Sequence, residues 1–171
     1  VSRDHPDRDK THSRVWRIRH ESQERTPPVD VASLTNPELV STLDSKSTWA
    51  SRAAWHQIGA RRALELVDEL EAMAQDHGAR TSARVLALWC LEDLGSLRAE
   101  VLGNLFKDQE SALRREAARL TVQVAKNTDD LAHMLASAPG ELDPRVRFAV
   151  IDALGAMAPM SASHTGLLLR M

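Results

Sequence analysis

Three arginines recur in one setting. Each follows an apolar residue, and small or apolar residues stand four and eight positions beyond that residue. The copies are Ala83-Arg84 with Ala87 and Leu91, Leu113-Arg114 with Ala117 and Thr121, and Val146-Arg147 with Val150 and Leu154. A weaker copy runs Ala50, Ala54, Ile58, with Ser51 in the arginine's place. A guanidinium presents five N–H donors in a rigid fork, so a row of them can do one of two things. On an open concave surface it grips phosphates. Between repeats it clamps carbonyls and carboxylates and fixes the stacking. The chain carries a net charge of -2, and residues 1–25 hold seven basic against five acidic side chains, so the repeat region itself is acidic. That balance argues against nucleic acid and for stacking. The expectation is that Arg84, Arg114 and Arg147 are at least partly buried and paired.

Other reactive residue types give weaker signals. Trp49, Trp55 and Trp89 could stack on a base or ligand ring, but each falls on a helical pattern, where a core or inter-repeat role is expected. The single cysteine, Cys90, excludes a disulfide, a thiolate zinc site or a Cys-x-x-Cys-His haem attachment within the chain. It reads as a small buried apolar side chain. His5, His12, His20, His56, His77, His133 and His164 are scattered, with no metal-ligand spacing such as His-Glu-x-x-His. Asp68-Glu69 and Asp129-Asp130 read as first-turn acids of helices, and Glu92-Asp93 as a solvated patch. There is no Gly-x-Gly-x-x-Gly, Gly-x-Ser-x-Gly or P-loop. No catalytic, cofactor-binding or metal residue is assigned, and no cofactor is expected.

The elements that carry these residues are helices. Aromatics are only 4% and tyrosine is absent, so Leu and Ala supply most of the apolar content. Anchors at 50, 83, 113 and 146 lie 33, 30 and 33 residues apart, the signature of stacked helical repeats. The first helix is expected at Asn36-Pro37-Glu38, with Asn36 as cap and Leu39, Val40 and Leu43 as its stripe. The second runs from about Trp49 to Leu64, capped by Ser47 or Thr48. The third carries Val67, Leu70 and Met73 and stops at His77-Gly78. The fourth spans about Thr81 to Leu94, stops at Gly95, and should be the most buried. Ser96 opens the fifth, with Val101, Leu102, Leu105 and Phe106. The sixth runs from about Glu110 to Ala125. The seventh carries Leu131, Met134 and Leu135. The eighth starts at Asp143-Pro144, uses Val146, Val150, Ala153, Leu154 and Met157, and stops at Pro159. Ser161 caps a ninth. The fold expected for residues 31–171 is therefore an all-α solenoid of about four to five helix pairs. Residues 1–30 form a separate irregular tail with one strand-like stretch, Val15-Trp16-Arg17-Ile18-Arg19, followed by the stiff connector Pro27-Pro28. No apolar run approaches the length of a membrane span, and no signal-peptide core is present. A start at Val1 and an end inside a helical pattern fit a piece of a longer chain.

The repeats resemble HEAT repeats. Ala83-Arg84-Val85-Leu86-Ala87-Leu88-Trp89-Cys90-Leu91-Glu92-Asp93-Leu94-Gly95, Asp143-Pro144-Arg145-Val146-Arg147-Phe148 with Ala153-Leu154-Gly155, and the opening Asn36-Pro37-Glu38-Leu39-Val40 with Leu43 and Trp49 carry a narrower likeness. They are similar to the HEAT-repeat region of the large membrane-bound dehydrogenases of planctomycete-type bacteria. In that family a β-propeller precedes the repeats and a c-type cytochrome comes after them. The resemblance implies that Arg14-Val15-Trp16-Arg17-Ile18 is a last propeller strand and that the protein sits outside the cytoplasm, in the periplasm. With no complete propeller and no Cys-x-x-Cys-His here, it carries no catalytic or haem-ligating residue over to this chain. The function it implies is a non-catalytic scaffold that docks flanking domains or another subunit. The alternative is a nucleic-acid-binding protein of the alkyl-purine DNA glycosylase class, which requires arginines displayed on the concave face. A HEAT-type lyase or chaperone would need a polar pocket there, and no residue set for one stands out.

Overall fold

Local capping chemistry sets several of the helix ends. The computed structural model describes residue 22 and residues 27–125, 132–136, 140–156, 166 and 169–170. The strand-like stretch at Val15, Asp129-Asp130, Leu131, Met157, Pro159 and the helix expected from Ser161 lie outside the described residues. So do His5, His12, His20 and His164. Among the described residues all regular structure is helical, and no helix is long and apolar enough to cross a membrane.

Helix α1 spans Asn36–Leu43, and its cap is Thr35, not Asn36. The Glu38 carboxylate accepts from both the backbone N–H and the hydroxyl of Thr35, at 2.7 Å each. A Thr with Glu three residues on forms a capping box, which moves Asn36 inside the first turn. Asn36 instead bonds Glu65 and accepts from Arg61.

Helix α2 (Thr48–Arg61) is capped by Ser47, whose hydroxyl accepts from the Ala50 N–H. It ends short of Leu64 because Arg62 turns left-handed at φ 52. The Ala63 N–H then reaches the Ile58 carbonyl and the Arg62 N–H that of Gly59, a Schellman ending. Helix α3 (Val67–Gln75) stops before His77-Gly78. Asp76 goes extended and its carboxylate accepts from the Gly78 N–H at 2.8 Å, so an Asx turn does the stopping.

Helix α4 (Thr81–Asp93) ends in a second Schellman motif. Gly95 sits at φ 65, where glycine is unstrained, and the Ser96 N–H returns to the Leu91 carbonyl. The Ser96 hydroxyl donates to the Leu94 carbonyl, and α5 starts later, at Ala99, and ends at Leu105. Helix α6 spans Ser111–Val124. Residues 132–134 are helical, on the pattern that carries Met134 and Leu135. Helix α7 (Pro144–Gly155) opens with the Asp143 carboxylate accepting from the Arg145 N–H at 2.8 Å, with Pro144 in the first turn.

Each of α1, α3 and α5 packs on the next helix in the chain, across residues 44–47, 76–80 and 106–110. Helices α2, α4, α6 and α7 pack on one another in succession, and α3 packs on α5. Ala54, Ala87, Ala117 and Val150 are fully buried in that succession. Small side chains there let neighbouring helices approach closely. Leu43, Leu70, Leu88, Leu105 and Leu120 fill the space between the two sets of helices, each worth about 1.5–3 kcal/mol on burial. Helix α4 is the most enclosed. Ala83, Arg84, Leu86, Ala87, Leu88, Cys90 and Leu91 are all buried.

Candidate functional site

Two of the three recurring arginines are clamps between successive helix pairs. Arg84 is 2% exposed. Its Nε donates to the Ala74 carbonyl at 3.0 Å, and its terminal nitrogens meet both Asp108 oxygens, at 2.5 and 3.5 Å. Asp108 lies in the turn that opens α6. Burial opposes its ionisation, but hydrogen bonds from Arg84 and from the Glu110 N–H outweigh it and hold the carboxyl below its usual range. His77 stands 3.7 Å from the same carboxylate. Arg114 repeats the device one step on. It forms a two-pronged pair with Glu141 at 2.6 and 3.0 Å, and donates to the carbonyls of Asp108 and Gln109. Glu141 lies just ahead of α7, and its hydrogen bond from Arg114 lowers its pKa against the cost of burial.

Arg147 departs from the expectation. It is exposed, and no ion pair or side-chain hydrogen bond joins it to any described residue. The partners of Arg84 and Arg114 lie 24 and 27 residues further along.

A second set of inter-helix contacts crosses α2, α4 and α6. Trp55 Nε1–H donates to Asp93 at 2.6 Å, and Trp89 Nε1–H donates to Glu116 at 3.2 Å. The two indole rings lie 5.2 Å apart, tilted by 54°, and His56 stacks on Trp55 at 4.6 Å. Arg119 joins Glu116 to Glu92, and Arg115 also reaches Glu116. Burial raises the pKa of Glu116, but Arg119, Arg115 and Trp89 together pull it below the normal range. Trp55 thus links α2 to α4, and Trp89 links α4 to α6. Trp49 departs from the core role expected of it. It is 61% exposed, because it immediately precedes the buried anchor Ala50 and so lies about 100° away from the packed face. Glu92-Asp93 is likewise more than a solvated patch, since each residue holds a specific partner. Asp68 and Glu69 do occupy the first turn of α3.

Sequence reasoning overlooks a simple spacing. Arg98–Glu71, Trp89–Glu116, Arg119–Glu92 and Arg114–Glu141 are all separated by 27 residues. Pairing donors with carboxylates at slightly less than the repeat length would find all four. Arg80–Asp44, 36 residues apart, escapes that rule.

Cys90 is buried, and burial together with the Asp93 charge pushes its thiol up to about 12. A thiol so protonated is a poor nucleophile. Among the described residues no three His, Cys, Asp or Glu side chains group to hold a metal ion.

Depressions among the described residues include three of similar size. One, of about 420 Å³, borders the Arg84–Asp108 clamp and includes His77 and Lys107. Another, of about 470 Å³, lies between α5 and residues 133–136. The third, of about 390 Å³, opens where α2 and α4 begin and is lined by Lys46, Arg52, Arg80, Val85, Leu86 and Trp89 with several hydroxyls. No family model matches this chain, and no curated protein matches it either.

Proposed function

We propose that this chain is a non-catalytic scaffold: an α-solenoid of HEAT-like repeats that docks flanking domains or a partner protein. The observation that carries the reading is the use made of the repeated arginine. Arg84 and Arg114 are each engaged by a carboxylate ahead of the next packed helix, Asp108 and Glu141, and by carbonyls of their own helix pair, which fits stacking chemistry. The succession of α2, α4, α6 and α7, with the partner helices set against it, supports the same reading. On the sequence resemblance, the scaffold is a spacer in a larger protein similar to the planctomycete-type membrane-bound dehydrogenases, between a propeller and a c-type cytochrome.

The test is to mix the chain with separately produced propeller and cytochrome segments of such a parent protein and to monitor association by sedimentation. Association is expected. No association, together with oxidoreductase turnover by the isolated chain, overturns the proposal. The nucleic-acid alternative needs the arginine row facing solvent. With Arg84 and Arg114 enclosed, only Arg147 of the three is free to meet a phosphate, and no shift of a DNA duplex is expected in low-salt gels at micromolar protein.

A further inference from the structure

The cleft at the start of α2 and α4 differs in charge from the rest of the chain. Around a net charge of -2, it gathers Lys46, Arg52 and Arg80 and contains no carboxylate in its lining. Arg80 is neutralised by Asp44, with its Nε 2.6 Å from the carboxylate and a second bond to the Asp44 carbonyl. Lys46 and Arg52 are exposed and make no ion pair among the described residues. Some of the lining hydroxyls are already engaged: Ser51 donates to the carbonyls of Ser47 and Thr48, and Ser45 accepts from the Ser47 N–H. Those of Thr48, Thr81 and Ser82 have no such bond among the described residues. Behind this polar rim lies an apolar floor of Val85, Leu86, Trp89 and Ala112. Trp89 is fixed there by its N–H bond to Glu116.

We propose that this cleft docks an acidic, apolar peptide segment of a partner protein, with a carboxylate against Lys46 and Arg52 and a neighbouring aliphatic or aromatic side chain on Val85, Leu86 and Trp89. Two features select that occupant. The unpaired cations call for a negative group, and the apolar floor gains nothing from a bare anion, which leaves it wet. The cleft also runs from α2 across α4 to Ala112 on α6, as an extended segment crossing successive helices would require. At about 390 Å³ it falls within the roughly 300–1,000 Å³ range of clefts that bind ligands. The inference rests on the scaffold reading and names the kind of partner one part of the scaffold takes.

The experiment uses a fluorescein-labelled peptide of sequence Asp-Leu-Glu-Leu-Asp-Leu and its counterpart Lys-Leu-Lys-Leu-Lys-Leu, titrated with the full chain and monitored by anisotropy. The acidic peptide is expected to bind and the basic one not. The double variant Lys46→Glu, Arg52→Glu should weaken binding by about tenfold or more, with an unchanged circular dichroism spectrum because both side chains are exposed. Val85→Ser should weaken it too. Millimolar inorganic phosphate should compete poorly. Equal binding of the two peptides, binding indifferent to the charge reversal, no binding at millimolar peptide, or displacement by phosphate with no effect of Val85→Ser would each overturn the assignment. If the cleft fails while the chain still associates with the propeller and cytochrome segments, the scaffold reading stands. If association fails as well and the isolated chain shows oxidoreductase turnover, both fall.

Discussion

Helices α4 and α7 carry the same motif and meet different surroundings. Arg84 and Arg147 occupy the same repeat position, and so do Leu88 and Ile151, four residues beyond each. In α4, Arg84 is 2% and Leu88 0% exposed; in α7, Ile151 is 45% exposed and Arg147 stands open beside Phe148 at 70%. In α6 the same positions, Arg114 and Ala118, are half-buried and fully buried. The motif is therefore half of a device. The other half is a carboxylate in the turn that opens the next packed helix of the succession: Asp108 before α6 for Arg84, and Glu141 before α7 for Arg114. With that carboxylate in place, an arginine becomes internal. In α7 the arginine at the same position is exposed.

The comparison can be broken by substitution. The largest contrast is expected from Leu88→Ala, which empties a fully enclosed site and should cost about 2–5 kcal/mol in urea unfolding. Ile151→Ala should cost less than about 1 kcal/mol, because half of that side chain already meets water. Equal losses would mean that α7 is as enclosed as α4. A smaller effect is expected with pH. Asp108, Glu116 and Glu141 all titrate below their ordinary values in the folded protein. A depressed folded-state pKa adds stability that is fully present above the unfolded carboxylate range. It is lost as pH falls through the unfolded value towards the folded one. Stability should thus be flat near neutrality and decline below about pH 4, and Arg114→Met should make the decline shallower by freeing Glu141. A decline of the same steepness in that variant would remove the clamp as its cause. In thiol labelling, Cys90 should resist a disulfide reagent in the native chain, while Ile151→Cys adds one fast-reacting equivalent. Equal protection of both would contradict the open face of α7. The smallest effect sits at the helix ends. Gly95 and Arg62 hold the same left-handed position, but only Arg62 meets a steric penalty there. Arg62→Gly should stabilise by a few tenths to about 1 kcal/mol, and Gly95→Ala should destabilise by about 1 kcal/mol.

How much of this is legible in the sequence depends on how local each cause is. Ser47, Asp143 and Gly95 mark helix ends correctly because a cap acts within a few residues. Thr35 is obscured by Asn36-Pro37, which mimics a cap one residue later, and the Asx turn at Asp76 is obscured by the nearby Gly78. Arg62 carries no signal at all, since its left-handed turn is imposed by packing around Ile58 and Ala63. The anchor spacing places Arg84 and Arg114 correctly. It says nothing of Arg147, whose surroundings depend on whether a carboxylate packs against α7. The carboxylates that complete the clamps sit in turns, where apolar periodicity is silent; the 27-residue spacing betrays Glu141 but not Asp108, which lies 24 residues after Arg84. The cleft at Lys46 and Arg52 is assembled from two helix starts, and no single window of sequence contains it.

The recurring arginine holds successive packed helices together where the turn before the next helix supplies its carboxylate, as Asp108 does for Arg84 and Glu141 for Arg114. The most direct measurement is a pair of denaturation experiments on Arg84→Met and Arg147→Met, with Asp108→Asn and the double variant completing a cycle at the first site. Arg84→Met should lose about 3 kcal/mol, because buried Asp108 loses its guanidinium partner and keeps the Glu110 N–H and the nearby His77, and the cycle should give a coupling of about 1 kcal/mol or more. Arg147→Met should stay within about 0.5 kcal/mol of the parent. A loss at Arg147 as large as that at Arg84, or no coupling between Arg84 and Asp108, would contradict the account.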